Sequence, residues 1–191
     1  MPLQKRYEVL NGLPTYGPMY IPISESGEKF YSEGFVVRFH KKNGTDWVAN
    51  FKQGFSEYCN VFQLSVGNKI IVIANGQGYI MSSEQQTPLD TFGLAITEVL
   101  KTDNEILVAA DQTDLIIINN QGSIWRTARI SWDGLKDIIL EGNLVSGLSY
   151  DPMNEAEEWV KFSINLDTRE IKGGSYRKYY EDNRMAKNKP F

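Results

Sequence analysis

Three short openings recur along this chain and constrain its fold more than any other feature. Gly67-Asn68 precedes the apolar run Lys69-Ile70-Ile71-Val72-Ile73. Asp103-Asn104 precedes Glu105-Ile106-Leu107-Val108-Ala109, and Gly142-Asn143 precedes Leu144-Val145-Ser146-Gly147-Leu148. The asparagines lie 36 and 39 residues apart, and a looser opening, Glu33-Gly34-Phe35-Val36-Val37, sits one such interval earlier. A period of this size marks supersecondary units that bury their apolar faces only by stacking on neighbours.

Within the units the chain reads as strand, turn, strand. Phe35, Val37 and Phe39 alternate with Val36, Arg38 and His40. Lys42-Asn43-Gly44 then makes a hairpin, expected as a type I′ turn because Asn-Gly tolerates two positive φ angles. The return strand passes through Trp47, Ala49 and Phe51. Val160, Phe162, Ile164 and Leu166 alternate with Lys161, Ser163, Asn165 and Asp167, the pattern of a half-solvated antiparallel strand. Residues 70–74, 106–110 and 115–118 are apolar at successive positions, which implies burial on both faces. Leu94–Leu100 and Ser123–Ile130 also read as strands. Helix is expected only in a turn at Asn154–Glu158 and a terminal segment at Tyr176–Lys187. The expected class is all-β, with consecutive antiparallel hairpins in about four units.

Residues 1–175 suit a single domain, since 191 residues bury a real core without staples. Its first 32 residues are rich in turn formers, and Leu13, Tyr16, Met19, Tyr20 and Ile21 would anchor this irregular segment to the domain, with one short strand near Met19–Ile23. Residues 176–191 form a basic tail or short helix, holding five cations against two acids. The net charge of −4 therefore leaves about −7 on the rest. An acidic body repels phosphate backbones, so nucleic acid is not an expected partner. A lone cysteine allows no internal disulfide, no leader-like apolar segment opens the chain, and no apolar stretch approaches a membrane span. A cytoplasmic protein that does not engage membranes is expected.

The hairpins resemble blades of β-propeller proteins. The likeness is carried by Gly76-Gln77-Gly78-Tyr79-Ile80 and Gln121-Gly122-Ser123-Ile124-Trp125, similar to the Gly-x-(Ile/Leu)-(Tyr/Trp) hairpin of quinoprotein-type repeats. It implies about four blade-like units over residues 33–174. A two-layer β-sandwich of the same hairpins is the alternative.

Chemistry-bearing motifs are sparse, and no catalytic residue, metal ligand or cofactor is assigned. His40, the sole histidine, falls at a strand end before an exposed turn and has no activating partner at a recognisable spacing. Cys59 reads as a small buried residue. Asp111-Gln112-Thr113-Asp114 lacks the glycine and terminal glutamate of a calcium loop and reads as a polar turn. Trp125, Arg126, Arg129, Trp132 and Asp133 form the strongest candidate binding strip, with Tyr79 added from the second unit. Trp125, Thr127 and Arg129 would share one face of a strand, unless the tryptophans are core and the arginines pair with nearby acids. The function expected from this set is non-enzymatic binding of another protein, by analogy of size and charge an immunity-type inhibitor of a basic toxin. The alternative is a small enzyme or carbohydrate-binding domain with an aromatic- and carboxylate-lined pocket.

Overall fold

The computed structural model describes residues 5–17, 19–153 and 158–177. Among the described residues, sixteen strands form four four-stranded sheets. The protein is all-β, as expected. The described residues fall into two compact units, one within Met1–Thr97 and Ile118–Ser123, the other within Glu98–Ile117 and Ile124–Phe191.

The first unit contains two sheets. One is built from β1 (Tyr7–Val9), β2 (Ile21–Ile23), β3 (Phe35–His40) and β4 (Asp46–Phe51), in the order β1-β3-β4-β2. The next holds β5 (Asn60–Gln63), β6 (Lys69–Ala74), β7 (Gln77–Ser82) and β8 (Asp90–Phe92) as a meander. Phe39, Trp47 and Phe51 of the first sheet share one core with Val61, Ile70, Val72 and Tyr79 of the second. Phe39 stacks on Trp47 at 4.7 Å between ring centroids, and Phe51 meets Tyr79 at 5.0 Å. Full burial of each such side chain stabilises by roughly 1.5–3 kcal/mol.

The second unit repeats the meander twice. One sheet comprises β9 (Glu98–Lys101), β10 (Leu107–Ala110), β11 (Leu115–Ile118) and β12 (Ile124–Arg126). The other comprises β13 (Leu135–Glu141), β14 (Leu144–Asp151), β15 (Glu158–Asn165) and β16 (Ile171–Gly173). Val108, Leu115 and Ile117 pack with Val145, Phe162 and Ile164 in a common core. The runs that are apolar at every position, in β6, β10 and β11, are buried along both faces.

The recurring openings have one structural meaning. Gly67-Asn68, Asp103-Asn104 and Gly142-Asn143 are the turns β5–β6, β9–β10 and β13–β14, the first hairpin of each meander. Each needs left-handed backbone: Gly67 and Asn68 have φ of 75° and 53°, Glu105 61°, and Gly142 58°. Glu33-Gly34 likewise leads into β3, which follows β1 in its sheet. The first sheet differs in its far edge. There β2, from earlier in the chain, lies parallel to β4 where a meander would place a fourth antiparallel strand.

Several expectations are corrected. The turn at Gly44 is not type I′. Only Gly44 has positive φ, Gly44 N–H donates to Lys41 O, and Lys41 N–H donates to Thr45 O, so a type I turn is followed by a left-handed glycine. The I′ turn occurs instead at Asn75-Gly76, where both φ values are positive, 47° and 89°. The strand expected across Leu94–Leu100 begins only at Glu98, and that across Ser123–Ile130 spans only Ile124–Arg126. The two Gly-x-Tyr/Trp elements are not equivalent: one joins the middle strands β6 and β7, the other joins β11 to the edge strand β12. Of the turn expected at 154–158, only Glu158 is described, and it opens β15; residues 175–177 are helical, and the remainder of the expected terminal helix and basic tail lies outside the described residues.

Candidate functional site

The strip from Trp125 to Asp133 comes together in the second unit, held largely by bonds within the chain. Arg126 is gripped by two acids of the β10–β11 turn. Its Nε donates to both Asp114 oxygens at 2.9 and 3.0 Å, and its Nη2 donates to Asp111 Oδ2 at 2.7 Å. Both aspartates are buried and the guanidinium is half exposed. Burial lifts the Asp114 carboxyl above its ordinary value against the pull of Arg126, and the neighbouring Asp111 charge adds to the rise. The sequence Asp-Gln-Thr-Asp is therefore a turn, as expected, whose acids form a clamp.

Arg129 is held instead by backbone carbonyls. Its Nε donates to Ser131 O at 2.9 Å and its Nη2 to Trp132 O at 2.7 Å. The guanidinium lies 4.8 Å from the Tyr176 ring centroid, and Tyr176 meets Trp132 edge-on at 4.7 Å. Trp125 packs against the second core with the Arg169 guanidinium over its ring, and Asp133 accepts a hydrogen bond from Gln112. The expected alternation fails past Arg126, because the chain leaves strand conformation there: Thr127 is buried and Arg129 exposed. Three fully buried serines secure the bend, with Ser131, Ser149 and Ser175 donating to the carbonyls of Gly134, Val160 and Tyr150. Arg126 therefore pairs with acids and Arg129 with backbone carbonyls, while Arg126, Arg129 and Asp133 stay exposed.

Tyr79 is 1% exposed and donates its hydroxyl to Lys52 O at 2.8 Å. It belongs to the first core. His40 ends β3 as expected, half buried, with Nδ1 2.9 Å from Asp46 Oδ1. Cys59 corrects its reading: it is exposed, and its Sγ contacts Asn75 Oδ1 at 3.1 Å while accepting the Asn75 N–H at 3.2 Å.

A feature not expected from the sequence lies in the first unit. A groove of about 590 Å³, lined by Met19, Tyr20, Ile21, Phe30, Tyr31 and Pro88 among others, runs beside β2. Its walls are fixed at both ends. Ile23 is buried in the core, and Gly27, with φ of 73°, closes a tight turn whose Ser24 Oγ donates to Glu28 O at 2.8 Å. The buried Asn50 side chain donates to Ser32 O and accepts from Gly34 N–H. Across the groove, Trp47 Nε1 donates to Ser83 O and Leu89 N–H donates to Ile80 O, holding the segment that carries Gln86–Pro88.

The groove is apolar and open. Met19 and Tyr31 are 86% and 84% exposed, and Lys29 carries the only charge among the described lining residues. Tyr16 and Met19 therefore do not anchor the N-terminal segment as expected, since Tyr16 is also exposed. The legible trace was the pair of apolar dipeptides Met19-Tyr20 and Phe30-Tyr31 bracketing a very short strand. Among the described residues no helix is long and apolar enough to cross a membrane. Comparison of the chain with protein-family models and with curated proteins finds no match.

Proposed function

We propose that this protein is a non-enzymatic binding module that captures another protein in the groove beside β2. The carrying observation is the concentration of large exposed apolar side chains, Met19 and Tyr31, at the mouth of an apolar channel of ligand-binding size. Methionine and tyrosine are enriched at protein interfaces, where they supply large contact area. The aromatic wall suits the sugar-binding alternative too, but the large exposed methionine at its mouth weighs toward protein recognition. Inhibition of a basic toxin in the cytoplasm is one form this function would take. Kinship with propeller-type repeats belongs to the same proposal, supported by four successive four-stranded sheets.

The test is selection of a displayed random-peptide library on the full chain, with Met19→Ser/Tyr31→Ser as counter-target. Loss of two interface anchors weakens binding by roughly 10–100-fold. Peptides that bind both proteins equally, or no enriched peptide, would remove the groove as the site.

A further inference from the structure

Resting on that groove reading, we infer that the segment it receives is basic: an apolar anchor flanked by lysine or arginine, seated by its side chains rather than by strand addition.

Two observations carry this. The first is the blunted sheet edge. β2 is the outer strand of its sheet, and Ile23 O accepts from Lys52 N–H at 2.8 Å, so the Ile23 backbone faces β4. Alternation turns the backbone of Pro22 toward the groove side, and proline has no N–H to give. An extended peptide therefore meets no backbone donor at the centre of this edge, and recognition falls to Met19, Tyr20, Phe30 and Tyr31.

The second is charge. The turn that supplies Ser24 and Gly27 to the lining also carries Glu25 and Glu28, both exposed. Neither takes part in an ion pair among the described residues. The Glu25 charge reaches inward: burial first, then Glu25, pushes the Tyr79 hydroxyl well above its ordinary value. Lys29 offsets one carboxylate, so this turn carries a net negative charge on a chain of net charge −4. Cations flanking an apolar anchor complement such a turn and are steered to it.

The experiment extends the library selection to charge. Clones recovered on the full chain are sequenced, and their affinities are measured on wild type, Glu25→Gln/Glu28→Gln and Glu25→Lys/Glu28→Lys at low and physiological salt. All three proteins are first compared by circular dichroism melting. The expected clones carry apolar cores flanked by Lys or Arg. Their affinity falls about threefold on neutralisation and about tenfold on reversal at low salt, and less at physiological salt. Clones that need Met19 and Tyr31 but show no basic bias, or are indifferent to the reversal, overturn this inference and leave the groove reading standing. Clones indifferent to Met19 and Tyr31 overturn both. Should the lysine variant melt early, the glutamine variant decides by its threefold loss or its absence.

Discussion

Replacing Arg126 by methionine tests whether the clamp at the β10–β11 turn holds the second unit together. The guanidinium makes three bonds of 2.7–3.0 Å to two carboxylates whose side chains are only 8% and 12% exposed, while its own side chain is 52% exposed. Removing one partner of a fully buried pair costs about 3–5 kcal/mol, and loss of an exposed pair costs about 0.2–1 kcal/mol. A half-exposed cation over two buried acids falls between, at about 2 kcal/mol near neutral pH. The loss also depends on pH. Asp114 already has its folded-state pKa raised above the ordinary 3.8, so ionising it opposes folding, and its contribution to stability is lost as pH rises through the folded value. Methionine removes the charge that restrains this rise, which moves the window upward. Urea unfolding at pH 7.5 and pH 5.0 should therefore show a loss of ~2 kcal/mol at the higher pH and about half that at the lower. Arg126→Lys keeps the charge but cannot reproduce the forked contact, and should lie between wild type and methionine. A loss below ~0.5 kcal/mol would show that the clamp is a solvent-screened ornament of the turn, and a loss equal at both pH values would refute the part given to Asp114 ionisation.

Two further outcomes follow from the geometry. Gly78 pairs with Phe92, and a Cβ there would lie 2.4 Å from the ring, so Gly78→Ala should destabilise by ~1–3 kcal/mol in chemical unfolding; an unchanged midpoint would mean that the ring moves freely. His40→Ala and Cys59→Ala should leave peptide binding at wild-type affinity, because neither residue lines the groove; a tenfold loss with the fold intact would relocate the site.

Cys59 and Tyr16 show what local pattern misjudges. Cysteine favours burial and tyrosine is intermediate, yet both are exposed, since exposure is set by which other segments arrive. Arg126 shows the opposite case. Acids lie near it in sequence, but only the turn between β10 and β11 brings Asp111 and Asp114 onto one guanidinium.

The sequence by itself determined that the chain is all-β, where its hairpins turn, and that β6, β10 and β11 are buried on both faces. Those properties are local: side chains alternate with period two, and left-handed turns favour Gly and Asn within a few residues. The tertiary structure decided the rest. Strand β2 joins the first sheet parallel to β4, a pairing between residues 28 positions apart that no turn connects, as Ile21 beside Ala49 shows. The groove needs residues 19–31 facing 86–88, held by bonds such as Trp47 Nε1 to Ser83 O across 36 positions. Pairings at such separations depend on the competition of whole surfaces for burial, which no short window of sequence records.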